Sequence, residues 1–224
     1  MRKFLFAILI LSCSVAVFCQ QLTQSEKAQK LQAAGLVSIT SIDTNIVVEL
    51  KYSTTDNFTG QNLYGDFQEA YLQPEVAKML GVAQKQLKDI HSKWNLIVYD
   101  AARPRSVQQK MWDVVKNTNW KNYVASPASI SMHSYGVAVD LSIVDEYGKP
   151  IDMGTPFDDF SEKSEPRHEN KFLQEKQLTQ EQINNRLLLR NIMKNAGFRP
   201  INNEWWHFDA MTREQAKAKY TPID

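Results

Sequence analysis

Apolar and polar positions along this chain change period several times, and each change marks an element. Asn45 to Tyr52 (NIVVELKY) is rich in β-branched residues and predicts a strand. Asp56 to Gly65 is polar and reads as a loop. Pro74, at the favoured first-turn position, opens a predicted helix that runs to about Trp94. Leu96 to Tyr99 (LIVY) predicts a short buried strand, Asp100 to Arg105 a turn away from it, and Pro104 the start of a helix through Val115. Val137 to Val144 (VAVDLSIV) alternates with strand period, and Asp145 to Gly148 follows as a hairpin turn. Pro150 to Lys171 is a long polar excursion of the kind that often shapes a site. Thr179 and Gln182 have capping-box spacing ahead of a helix to Asn195, which Gly197 closes. Glu204 to Phe208 (EWWHF) predicts a strand of large aromatic residues, and Thr212 to Lys219 a short final helix. Strands and helices do not alternate in the regular β-α-β manner. The expectation is therefore an α+β fold, a small antiparallel sheet flanked by helices, in a single domain over 39–224.

The first residues follow a different pattern. Arg2 and Lys3 form a basic start, Phe4 to Leu11 is unbroken apolar sequence, and polar sequence begins at Gln20. This is the pattern of a secretory signal peptide over residues 1–19, followed by a leader segment over 20–38 that includes the helical spacing of Thr23 to Ala34. The apolar run is shorter than the roughly 20 residues a spanning helix needs, so no transmembrane span is expected after processing. Export to the periplasm or the outside is the expectation, with lipidation at Cys13, after Ile10-Leu11-Ser12, as the variant route. Cys13 and Cys19 are the chain's two cysteines. Cleavage after Cys19 leaves a chain without thiols, so a metal site would have to be built from imidazoles and carboxylates.

The 224 residues carry 43% hydrophobic and 23% charged side chains, an ordinary globular balance. Lys and Arg number 26 and Asp and Glu 25, so no basic surplus points to a nucleic-acid partner. Nothing in the pattern sets an oligomeric state.

Candidate chemistry centres on two of the four histidines. His91 and His168 sit in polar surroundings and read as surface residues. His133 precedes a turn at Gly136, and the strand after it places Asp140 inside Val-Ala-Val-Asp-Leu. A carboxylate there is costly to bury unless it is paired or binds a cation. His133 and Asp140 can converge on one ion, or they can be an ion-paired Asp and an unrelated His. His207 follows Glu204 by three positions, which on a strand puts them on opposite faces, so both reach one site only if the segment bends. Two His and one carboxylate suit zinc with an open fourth position, with Glu204 as a general base, and equally suit non-haem iron. Asp100 and Arg103 follow a buried strand and read either as a structural ion pair or as an oxyanion-stabilising group with its support.

Five segments together resemble a known family. LKYSTTDNFTG (Leu50 to Gly60), YDAARP (Tyr99 to Pro104), SMHSYGVAVDL (Ser131 to Leu141), MGTPFDDF (Met153 to Phe160) and EWWHF occur in the order seen in the VanX-type D-alanyl-D-alanine dipeptidases, within the zinc D,D-peptidases. The resemblance spans about residues 40 to 210. It implies one zinc ion per chain held by His133, Asp140 and His207, Glu204 as catalytic base, Arg103 stabilising the oxyanion and Asp100 orienting Arg103. It implies Tyr52, Ser131 and Asp158 on the wall of a pocket for a small D,D-dipeptide, with Tyr64 as a further pocket residue, although its place relative to Gly65 departs from the family pattern. DNFTG and MGTPFD point to the dipeptidase branch. The rival readings are a D,D-carboxypeptidase or peptidoglycan endopeptidase of the same group, and a non-catalytic zinc-stabilised binding module.

Overall fold

The computed structural model describes residues 25–224. The segment read as a signal peptide, with Cys13 and Cys19, lies outside the described residues. In chain order the elements are α1 (Glu26–Ala33), β1 (Val37–Ser38), β2 (Val47–Val48), β3 (Tyr71–Leu72), α2 (Pro74–Ile90), β4 (Asn95–Asp100), α3 (Arg105–Val115), β5 (Ala138–Val144), α4 (Glu169–Gln174), α5 (Gln180–Asn195), β6 (Arg199–Pro200), β7 (His207–Asp209) and α6 (Arg213–Lys219). They form a mixed α/β structure. A five-stranded sheet has the order β2-β4-β5-β7-β6, and β1 and β3 pair separately. All ladders are antiparallel except β2 with β4, which run parallel.

The centre of the sheet is β4 and β5, whose residues are almost all buried. Leu96 and Val98 of β4 point into the main core, while Ile97 and Tyr99 alternate to the other face and pack with Val144 and Phe157. That is the strand period of two. α2 buries Val76, Ala77, Leu80, Ala83 and Leu87 at helical spacing and packs against α5 and β4. The fully buried Gln84 joins helix to sheet, because its Oε1 accepts from Leu96 N at 2.8 Å and its Nε2 donates to Asn95 Oδ1 at 2.9 Å. α5 opens with the capping box expected at Thr179 and Gln182. α1 sends Ala28 and Leu31 into the main core, joined by Leu36.

Three segments depart from the sequence expectation. The Asn45–Tyr52 strand shortens to Val47–Val48, because the chain turns through a 3-10 segment at Lys51–Ser53 and carries Tyr52 inward. α2 stops at Ile90 rather than near Trp94, where His91 becomes extended and stacks its ring on Trp94 at 3.8 Å. The strand read over Glu204–Phe208 begins only at His207, so Glu204, Trp205 and Trp206 lie on a bend.

The long excursion after β5 is anchored by one side chain. Arg186 of α5 is 1% exposed, and its guanidinium donates to Met153 O at 2.6 Å, Lys163 O at 2.9 Å and Thr155 Oγ1 at 3.3 Å. Glu169 Oε1 lies 3.7 Å away. Removing the guanidinium strands two carbonyls in the interior, while the Glu169 carboxylate keeps Arg190 Nη2 at 2.6 Å. Arg186→Ala is expected to lower the unfolding free energy by about 3 kcal/mol, read as a shifted urea midpoint at unchanged slope.

Candidate active site

Three ionisable residues form a row across the sheet. In the ladder Asp100 of β4 is the partner of Asp140 of β5, and Asp140 is the partner of His207 of β7. Residues paired across neighbouring strands stand about 5 Å apart, so strand register alone brings these groups together. His133 joins them from the preceding 3-10 turn, Met132–Tyr135. Ser131 caps that turn by accepting from His133 N at 3.3 Å, and Gly136 ends it at φ +69°. A side chain at Gly136 would be strained in that left-handed conformation, and its Cβ would meet Leu36 Cδ2 at 2.8 Å. The turn is also tied to the β4 side, because Arg103 N donates to His133 O at 3.1 Å.

Proton bookkeeping shows what the cluster accepts. His133 Nδ1 lies 2.8 Å from Ala101 O, which can only accept, so that nitrogen carries a hydrogen and Nε2 presents a lone pair. His207 Nε2 lies 3.0 Å from Asp209 Oδ1 and donates to it in the same way. His207 Nδ1 faces Asp140 Oδ1 at 2.9 Å and His133 Nε2 at 3.2 Å, and His133 Nε2 faces Asp140 Oδ1 at 3.3 Å. Burial pushes the His207 imidazole down, but Asp209 and Asp140 on either side outweigh it and raise its pKa well above 6.5. Burial likewise opposes ionisation of Asp140, and the two imidazoles overcome it and hold the carboxyl below its ordinary value. One proton, on His207 Nδ1, thus faces the lone pair of His133 Nε2 and a carboxylate oxygen of Asp140. A divalent cation would replace that proton and satisfy all three donors, which lie within 4.8 Å of one another. The donor set, two imidazoles and a carboxylate, fits such an ion.

Arg103 borders this cluster with its charge already engaged. Its Nε donates to Asp100 Oδ2 at 2.7 Å, its Nη1 to Gln108 Oε1 at 2.8 Å, and its Nη2 reaches Asp100 Oδ2 and, at 3.5 Å, Asp140 Oδ2. Asp100 is fully buried and also accepts from Tyr64 Oη at 2.7 Å. Arg103 lies over the Tyr52 ring at 5.3 Å.

A cavity of about 320 Å³ opens in front of these groups. Arg103, His133, Asp140 and His207 form its floor, with Tyr52, Ser131, Asp158 and Glu204 on its walls. Asp158 stands at φ +61° and accepts from Tyr52 Oη at 3.0 Å and from Phe58 N at 3.2 Å. Burial, reinforced by the charge of Asp140, raises its pKa to about 7 against those hydrogen bonds. Glu204 is 9% exposed and has no hydrogen bond or ion pair among the described residues. Burial raises its pKa to about 8 despite the nearby His207. Phe58 and Phe160, with ring centroids 5.0 Å apart, and Tyr123, stacked on Phe160, make the apolar side.

Comparison with known proteins accounts for this arrangement. A family model described as D-ala-D-ala dipeptidase matches residues 32–221. The chain belongs to the M15 family of D-ala-D-ala dipeptidases. It is 34% identical over 177 residues to the D-alanyl-D-alanine dipeptidase of Escherichia coli (strain K12), covering 78% of this chain and 83% of that one. It is 30% identical over 194 residues to the D-alanyl-D-alanine dipeptidase of Enterococcus faecium, covering 78% and 90%. Membership makes the protein a metallopeptidase of a metal-dependent family.

Within this M15 chain, the structure brings together His133, Asp140 and His207, the trio that the resemblance implied, and sets Glu204, Arg103, Tyr52, Ser131 and Asp158 on the same cavity. Asp100, expected to orient Arg103, accepts from its Nε, and Tyr64, expected on the pocket itself, instead donates to Asp100; neither is among the residues lining the cavity. The conflict between Glu204 and His207 disappears because Glu204 lies on the bend before β7, free of strand alternation. His91 and His168 lie outside any metal-competent cluster among the described residues. Asp209 was not anticipated, although its spacing of two from His207 on a strand places both on one face. Asp209→Ala is expected to weaken divalent-metal affinity about 10–100-fold, measured by competition with a chromophoric chelator.

Proposed function

We propose that the protein is a zinc-dependent dipeptidase that hydrolyses D-alanyl-D-alanine to two D-alanines, with one zinc ion held by His133, Asp140 and His207. The observation that carries this reading is the buried Glu204 carboxylate, unpaired and facing the same small cavity as the three-donor cluster. When bound, zinc supplies Lewis-acid polarisation to the scissile carbonyl and to a water molecule. Glu204 takes a proton from the attacking water and passes it to the leaving amine. A general base works best with a pKa near the working pH, and burial has moved this carboxyl there. Arg103, fixed by Asp100, faces the charge that develops on the carbonyl oxygen. Tyr64 steadies Asp100 from behind. Asp158 receives the free ammonium of the dipeptide, helped by Tyr52, and Ser131 offers its hydroxyl to the backbone of the substrate.

The cavity volume supports a dipeptide rather than a long peptide. The names of the M15 relatives support the D-alanyl-D-alanine substrate. The basic start and apolar run of the first residues support export to the periplasm or the outside, with a lipid anchor at Cys13 as the variant. No helix among the described residues is long and apolar enough to cross a membrane.

The deciding experiment measures D-alanine release from D-alanyl-D-alanine and from a stem pentapeptide, using zinc-loaded and chelated protein. Release from the dipeptide alone, abolished by chelation and restored by zinc, is expected; faster release from the pentapeptide would make the protein a carboxypeptidase. Glu204→Gln is expected to keep one zinc per chain by elemental analysis and to lower kcat about 10²–10⁴-fold. Asp158 and Glu204 both act deprotonated. Burial raises both carboxyls, and protonation removes each function, so kcat/KM rises with pH and levels off once both are ionised. A kcat/KM that falls as pH rises from the acid side would contradict the roles given to both carboxylates.

A further inference from the structure

A zwitterionic dipeptide has two charged ends, and the cavity lining offers groups of both signs. Asp158 is one of its carboxylates. Where α6 follows β7, Arg213 lines the same cavity together with Ser129, Ser131 and Asn203. Arg103 and Arg213 are the two arginines lining the cavity. Arg103 is engaged by two carboxylates and Gln108, as described above. Arg213 has no ion pair with any carboxylate among the described residues. Its Nη1 donates to the carbonyls of Ser129 and Ile130, which fixes the plane of the guanidinium and leaves Nε and Nη2 without protein partners. Ile130 adopts φ +43°, a left-handed conformation unusual for a β-branched residue, at the point where its carbonyl meets that guanidinium.

We infer that Arg213 is a specificity-determining residue that receives the C-terminal carboxylate of the substrate and so selects peptides whose second residue is the last. A guanidinium held by one nitrogen and free at the other two edges presents a planar fork that matches a carboxylate. Ser131, whose Oγ accepts from His133 N, still has its own hydroxyl hydrogen to offer the same carboxylate. Asp158 would thus meet the ammonium and Arg213 the carboxylate of one bound dipeptide, in the cavity that the three-donor cluster also lines. A peptide extended beyond the second residue would place an uncharged amide at Arg213. This inference rests on the dipeptidase reading and names the feature of the substrate that Arg213 recognises.

The test compares D-alanyl-D-alanine with its C-terminal amide, using zinc-loaded wild-type protein, Arg213→Gln and Arg213→Lys. For wild type, kcat/KM for the free acid should exceed that for the amide about tenfold to hundredfold. Arg213→Gln should erase most of this preference by raising KM for the acid, leaving the amide little affected, and Arg213→Lys should restore part of it. A merely structural role for the bonds to Ser129 and Ile130 would slow both substrates alike, and that outcome overturns the inference while the dipeptidase reading survives. A wild-type preference that Arg213→Gln leaves intact overturns it as well. Wild-type protein that cleaves neither substrate with zinc bound overturns both readings.

Discussion

Two carboxylates, Asp100 and Asp140, face each other across β4 and β5 in the interior of the sheet, one fully buried and the other 3% exposed. Neither can be ionised there without positive charge close by. Arg103 contacts both, and the two imidazoles contact Asp140 from the other side. The geometry of the site follows from this constraint. Arg103 must reach back from the turn after β4 to lie between the strands, which fixes where that turn goes. The 3-10 turn carrying His133 must lie against the same turn, which the bond from Arg103 N to His133 O secures. A buried charge network of this kind adds little net stability, but it leaves few arrangements in which every charge is met.

The site sets its carboxyls to opposite tasks through their surroundings. Asp140 is surrounded by donors and stays ionised. Glu204, close by in the same cavity, has no donor and is pushed up to about 8. The difference arises from placement: Asp140 is held in a ladder between two strands, and Glu204 sits on a bend where nothing pairs with it. Asp158 lies between these extremes, with two hydrogen bonds that oppose its burial.

Much of this was legible in the sequence. Val-Ala-Val-Asp-Leu announced a buried carboxylate, because a single charge inside an apolar strand is carried into the interior along with its neighbours. The capping box at Thr179, the proline start of α2 and the turn at Asp145 to Gly148 were local signals that tertiary packing left in place. The aromatic run Glu204 to Phe208 misled, because β propensity reads side chains and the bend there is imposed by Trp205 and Trp206 burying themselves in the core, with Trp205 Nε1 donating to Thr155 Oγ1. Tyr52 misled for a related reason: its ring is drawn inward to Asp158, more than a hundred positions later, and the strand ends to allow it.

The sequence by itself determined which groups the site would contain, since residue types, their order and their short-range spacing are properties of the chain. It also determined the central strands, whose apolar period has one buried solution. Only the tertiary structure decided how those groups divide their work. The register of β4, β5 and β7 sets Asp100, Asp140 and His207 in one row, the bend before β7 frees Glu204, and α6 brings Arg213 to a cavity whose floor is built largely from much earlier segments. Those outcomes depend on contacts between segments far apart in the chain. Local propensity carries no information about them, because each is settled by which buried charges must be met at once.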